Sequence, residues 1–257
     1  RRNTTLQSLG IGQHPSLEKQ LGDEAVVALA EALKQNTTLR SVSLSGVLIT
    51  PASALALADA LKHHSTLQSF KLCNGRSRPS FGDALLGDEV GVAMAEVLQQ
   101  STTIECFLIA DPWGTQFGER TARAMADALK LNSTLRSLRL PLPYIASGLP
   151  IAEALTQNTA LRSLTLYGLC PVSDSEVVQA YVAMAEALSR NSTLRTLRTL
   201  RPETEMEEMA SQTQMEEIEV AFAKAFEYNA SLHNLDLGRL TPSTTAEGAL
   251  QRNRELA

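Results

Sequence analysis

Four histidines and three cysteines are the side chains here best suited to nucleophilic, acid–base or metal chemistry, and their spacing assembles none of it. His14, His63, His64 and His233 are too scattered to pair with cysteines or carboxylates at metal-ligand intervals. His63 and His64 end a helix-forming segment, where partial positive charge suits the dipole. Cys73, Cys106 and Cys170 stand at long, unrelated intervals with no base partner nearby in sequence, which fits neither a disulfide framework nor a catalytic thiol. The stretch GIGQHPS lacks the lysine and the continuing glycine pattern of a phosphate loop. No catalytic, metal-binding or cofactor-binding residue is therefore assigned, and the chain reads as a non-enzyme. What remains is recognition chemistry: an apolar Leu108 flanked at equivalent positions by Lys71 and Arg139, and a series of arginines at 136, 162 and 195.

These equivalences come from a repeat. Copies of Asn-x-x-Leu place a leucine-type anchor at Leu6, Leu39, Leu67, Ile104, Leu135, Leu161, Leu194, Leu232 and Leu256, roughly thirty residues apart, as in a solenoid. After the anchors comes Leu-x-x-Leu-x-Leu, as in LRSVSL at 39, LRSLRL at 135 and LRSLTL at 161. Period-two alternation predicts a short strand with one buried face. Before the anchors lie alanine- and leucine-rich segments such as VVALAEALKQ and ARAMADALKL, with helical spacing and with Glu31, Glu96, Asp127 and Glu186 at one position expected to face water. The asparagines at 36, 132, 158, 191, 229 and 253 are expected to stop the helices in a left-handed conformation, and the Ser or Thr that follows to bond locally to the backbone.

LGDEAVVALAEALKQNTTLRSVSLSG (21–46) resembles a leucine-rich repeat of the ribonuclease-inhibitor class, the helical type also found in Ran GTPase-activating proteins and NLR receptors; worn copies cover essentially the whole chain. The resemblance implies an α/β horseshoe of about eight helix–strand repeats, with a parallel sheet on the concave face and helices on the convex face. It also implies protein binding, since such repeats mostly bind proteins. The family usually follows its strand with an asparagine that ties repeats together, whereas Val47 and Leu169 stand there in this chain and Asn74 is the nearest match. In LRTLRTL, Leu200 falls one place late, so a bulge is expected before Pro202.

Alternation then names the side chains on the open face. One series runs Ser8, Ser41, Ser69, Cys106, Ser137, Ser163, Thr196, Asn234, and the next Gly10, Ser43, Lys71, Leu108, Arg139, Thr165, Arg198, Asp236. Leu108 with Cys106 and Ala110 beside it, rimmed by Lys71 and Arg139, has the make-up of an interface core; the bland alternative is an ordinary exposed leucine. Eight strands span roughly 34 Å, enough to cradle a small folded domain. Arg136, Arg162 and Arg195 follow their anchors directly and offer either a basic edge for acidic partner groups or stems that cover the leucine layer. The loops CNGRSRPSFGDA and ADPWGTQFGER bring Arg76, Arg78, Trp113 and Phe117 to one rim, either as a patch continuous with Lys71 and Leu108 or with Trp113 and Phe81 folded back over the core; Tyr167 is a further candidate, at a position where the copies disagree.

Composition narrows the partners. The 257 residues carry a formal charge of -5, and seven acids (Glu203, Glu205, Glu207, Glu208, Glu216, Glu217, Glu219) sit in one stretch, so neither sign dominates the rest. Nucleic acid and anionic membranes are disfavoured, and a protein partner is expected. Met215, Ile218, Phe222 and Phe226 give that acidic stretch helical spacing, predicting an outer helix with a solvated glutamate face. An odd cysteine count suits a reducing, cytoplasmic setting, and no apolar run is long enough to span a bilayer. Residues 1–257 are expected to form a single leucine-rich repeat domain cut from a longer array, with raw ends able to self-associate because neither shows a polar cap. Two other readings follow from the resemblance: a Ran-type GTPase-activating protein, for which no loop Arg or Asn can be mapped, and the ligand-sensing domain of a larger receptor or pathogen effector.

Overall fold

Alternating leucines bury one face only when the backbone is extended, so each Leu-x-x-Leu-x-Leu run becomes a strand. The computed structural model describes residues 3–12, 22–47, 49–74, 86–110, 115–142, 148–167, 174–200, 212–237 and 244–255. Along them run β1 (Ser8–Gly12), α1 (Asp23–Gln35), β2 (Ser41–Val47), α2 (Pro51–Lys62), β3 (Ser69–Asn74), β4 (Leu86–Gly87), α3 (Asp88–Gln100), β5 (Cys106–Ala110), β6 (Thr115–Gln116) and α4 (Glu119–Leu131). They continue as β7 (Ser137–Pro141), α5 (Gly148–Leu155), β8 (Ser163–Tyr167), α6 (Asp174–Arg190), β9 (Thr196–Leu200), α7 (Gln212–Tyr228), β10 (Asn234–Asp236) and α8 (Thr244–Glu255). Eight strands form one open parallel sheet in the order β1-β2-β3-β5-β7-β8-β9-β10, while β4 and β6 pair separately. A helix separates each large-sheet strand from the next, which makes the molecule an α/β leucine-rich repeat solenoid. Strands pack about 4.8 Å apart and helices 8–10 Å apart, so the helical layer fans outward and the sheet lines the inner curve.

Register stacks like on like. Val42, Phe70, Phe107, Leu138, Leu164 and Leu197 lie in one row across the sheet, all buried; Phe70 and Phe107 meet with ring centroids 5.5 Å apart. Leu44, Leu72, Ile109, Leu140 and Leu166 fill the second inward position, each burial contributing about 1.5–3 kcal/mol. From the helices, small residues close the other side: α4 buries Ala122, Ala126 and Ala128 beside Met125 and Leu129. In the seventh repeat Thr199 takes the inward place, paired with Leu166, and its hydroxyl lies 3.2 Å from that of Tyr181. β9 holds register with β8 through Leu200, so no bulge falls within the described part of that strand, and Arg201 and Pro202 lie outside the described residues. The irregularity falls instead between Ser45 and Val47, where Gly46 adopts φ 70°, a conformation open to glycine at little cost.

The asparagines differ from expectation. None is left-handed among the described residues; Asn36 and Asn132 are extended, at φ -90° and -78°. Their side chains do the work that a left-handed turn would have done. The Oδ1 of Asn158 accepts from Ala160 N at 2.9 Å and Leu161 N at 2.7 Å, while its Nδ2 donates to Leu129 O at 2.6 Å and Asn132 O at 3.1 Å. Asn132, Asn191 and Asn229 repeat both halves of that pattern, and Asn253 repeats the donation. Each buried amide therefore starts its own strand and grips the backbone of the repeat before it, which is the tie looked for on the far side of the strand. The following Thr adds a second grip, as Thr66 Oγ1 donates to Leu39 O at 2.8 Å and Thr103 Oγ1 to Leu67 O at 2.8 Å.

Two repeats depart from this ladder. Ser101 replaces Asn and accepts from Thr103 N and Ile104 N, with no amide to reach backward. His64 replaces it one repeat earlier, accepting from Thr66 N at 3.4 Å through Nδ1, while its Nε2 is buried without a partner. Burial pushes the His64 pKa down from its ordinary value, so this ring does not act as a cation on the helix dipole; His63, exposed, meets Asp59 O through Nδ1 at 2.9 Å. Outside, the acidic column faces water as expected and also meets lysines from the repeat before: Lys34 with Asp59 at 2.8 Å, Lys62 with Glu96, Lys130 with Glu153 at 3.0 Å. Helix α7 buries Ile218, Phe222 and Phe226 and leaves Glu216, Glu217 and Glu219 exposed.

Candidate protein-binding face

The open face of the sheet is built by the outward half of each strand. Lys71 on β3, Leu108 on β5, Arg139 on β7, Thr165 on β8, Arg198 on β9 and Asp236 on β10 follow one another strand by strand in a single hydrogen-bonded row. Beside this row runs the small series Ser69, Cys106, Ser137, Ser163 and Thr196, all half-buried. On its other side lie Cys73 with Ala110, then Pro141 with Tyr167. Because β3, β5, β7, β8 and β9 are each held on both edges, their side chains start from fixed positions, as a preorganised contact surface requires.

Leu108 is half-buried between exposed Lys71 and half-buried Arg139, so the sequence-predicted apolar centre with a basic rim exists as a contiguous surface. Arg139 lays its guanidinium over the Tyr167 ring, with Cζ 4.4 Å from the centroid, a cation–π contact that holds the long side chain down. Burial lowers the Arg139 pKa from its ordinary value, and the like charge of Arg198 adds to the effect; guanidinium remains protonated through such shifts. The Cys73 thiol is pushed up by burial, against the opposing pull of Arg139 and Lys71, so it behaves as a small apolar group. Arg198 is anchored to Asp236, its Nε and Nη2 both donating to Oδ2 at 3.1 and 3.0 Å. Thr165 is 8 % exposed and does not stand on the open surface as alternation predicted. In register it lies between Arg139 and Arg198, a short side chain set low between two long ones.

The remaining sequence-predicted residues separate from this patch. Arg136 and Arg162 spend a guanidinium N–H on the next repeat's backbone, donating to Ala160 O at 2.9 Å and Thr193 O at 3.0 Å, while Arg195 is exposed. That edge, where helices hand over to strands, carries a shallow depression of about 340 Å³ between Arg40, Thr66, Gln68, Thr103, Glu105 and Arg136. Its mixed charges and bare Ser/Thr walls lack the apolar centre found at Leu108. A second hollow of about 210 Å³ lies by Arg162, Arg195 and His233. Phe117 is 0 % exposed and belongs to the core, since the chain turns inward just before α4; it is no rim anchor. Trp113, Arg76, Arg78 and Phe81 lie outside the described residues. Sequence reasoning passed over Cys73 and Pro141, although the same alternation, carried one step further along each strand, points to them.

No family model matches the chain, and no curated protein matches it. Similar solved structures include the actin-binding site 2 region of leiomodin-1, at 18 % identity over 88 % of each chain and a TM-score of 0.33. They also include the tropomodulin C-terminal domain of Caenorhabditis elegans, at 13 % identity over 90 % of this chain and 94 % of that one, TM-score 0.31. The fold assignment stands on the strand order and register above. Among the described residues no three His, Cys, Asp or Glu side chains converge as a metal site requires, and no helix is long and apolar enough to cross a membrane.

Proposed function

We propose that residues 1–257, as one leucine-rich repeat domain of the ribonuclease-inhibitor-like class working in the cytoplasm, recognise another protein through the open face of the sheet. The observation that carries this reading is the half-buried Leu108 held between Lys71 and Arg139 on adjacent strands. An apolar anchor at the middle of a rigid surface, ringed by Arg, Lys and Tyr, is where binding energy concentrates in protein interfaces. Small residues on the neighbouring row leave room for a partner to approach, and the width of the sheet suits a folded domain better than a metabolite. Leu108→Glu with Arg139→Glu is expected to weaken partner binding at least tenfold by calorimetry while leaving thermal unfolding unchanged, because both side chains lie on the outward face. The same substitution at Arg123 on α4, exposed and paired with Glu119, is expected to have no effect on binding. Unaltered binding by the double variant, or stimulated GTP hydrolysis when the chain is added to small GTPases, contradicts the proposal.

A further inference from the structure

Several cations on this molecule have carboxylates: Lys34 has Asp59 and Glu31, Lys62 has Glu96, Lys130 has Glu153, Arg123 has Glu119, Arg198 has Asp236, while Arg136 and Arg162 bond backbone carbonyls. Arg139 has none. Its Nε is buried without an acceptor, and the hydroxyl of Tyr167, the ring on which it rests, is likewise buried without a partner. The charged side chain that acts on it most strongly is Arg198, of the same sign. Partial burial of a guanidinium beside a thiol, an aromatic ring and a second guanidinium costs free energy that the Tyr167 ring offsets in part and no carboxylate among the described residues offsets. Such an arrangement is complementary to an anion supplied from outside.

The shape of the surface says where that anion goes. Arg139 and Arg198 are separated by the single strand β8, so their backbones stand about 10 Å apart. Between them the floor is Thr165, short and buried. A carboxylate over Thr165 has a guanidinium-bearing strand on either side to supply charge-assisted hydrogen bonds, with Arg198 also holding Asp236 through Nε and Nη2. Leu108 lies two strands from Thr165 in the opposite direction from Asp236, again about 10 Å.

We propose that the notch between Arg139 and Arg198 takes an Asp or Glu side chain of a protein partner, one that places an apolar residue on Leu108 at the same time. This rests on the recognition reading above and names its chemistry. A span of about 10 Å corresponds to three residues of an extended segment or seven of a helix, so the partner carries an apolar residue and an acid at one of those spacings.

The test selects random peptides displayed on phage against the wild-type chain, then resynthesises the binders. Binders are expected to carry the acid and the apolar residue at the stated spacing. Affinity should fall tenfold or more when the acid becomes its amide or when Arg139→Gln is made, and should return in part with Arg139→Lys, which keeps charge but not the fork. Binders that need Leu108 yet tolerate both the amide and Arg139→Gln overturn the carboxylate notch while leaving the recognition face intact. Binders indifferent to Leu108→Glu as well overturn both. Should selection return nothing, adding acetate at constant ionic strength decides: a saturable shift of the Arg139 Nε–H resonance, ahead of that of Arg123, supports the notch, and equal response of the two overturns it.

Discussion

At the scale of residues, one amide decides how far each repeat is tied to the last. Asn132, Asn158, Asn191 and Asn229 satisfy two N–H groups ahead and two carbonyls behind, whereas His64 serves only the forward side and buries an orphan Nε2. Restoring the amide with His64→Asn supplies donors for the carbonyls of Leu33 and Asn36, and is expected to raise stability by about 1–2 kcal/mol in urea denaturation. It should also remove a pH dependence. With burial holding the folded His64 pKa below that of a free histidine, the unfolded chain takes up its proton first as pH falls. Wild-type stability should therefore decline from about pH 6.5 downward, and the decline should be smaller in the Asn variant. An identical slope in both proteins contradicts this account.

Elements are placed by how closely helices and strands approach. A Cβ built on Gly91 of α3 would sit 2.1 Å from Thr121 Oγ1 and 2.8 Å from Thr121 Cβ. Thr121 cannot swing away, because Asp88 Oδ1 accepts from its Oγ1 at 2.5 Å and from its N at 3.0 Å. Helix propensity favours Ala over Gly by about 1 kcal/mol, yet overpacking here costs about 1–3 kcal/mol and also breaks that anchor. Gly91→Ala is expected to lower the unfolding midpoint, and Thr121→Gly to recover most of the loss; additive effects in the double variant contradict the contact. Such contacts explain what was legible in the sequence. The strand rows were readable because alternation is local, and so the row Lys71, Leu108, Arg139 was placed correctly. The role of Asn158 was not, because its partners lie in the preceding repeat and only its effect as a helix stop is local. Alternation assigned Thr165 to the outer face but carries no information on how far a short side chain between two long ones stays accessible, and Thr165 is buried. Phe117 was read as rim because a loop carries no periodicity to say that it turns inward.

For the whole molecule, a solenoid is stabilised repeat by repeat through neighbouring interfaces. Backward amide ties run from Asn132 through Asn253 and are missing at His64 and Ser101. Backbone amides of β3 and β5 are therefore expected to exchange with solvent faster than those of β7, β8 and β9 in native-state hydrogen exchange, and uniform protection contradicts a ladder that sets local stability. The less securely tied strands carry Lys71 and Leu108, while Arg139 and Arg198 stand on the well-tied ones. The proposed recognition face thus spans the boundary between the two regions. Site-specific photo-crosslinking within the native cell tests that face most directly, with the reactive residue placed at Leu108, at Ser137 or, on the outer side of α7, at Val220, which is 67 % exposed. The account predicts that positions 108 and 137 capture the same protein and position 220 does not; capture from position 220 alone contradicts it.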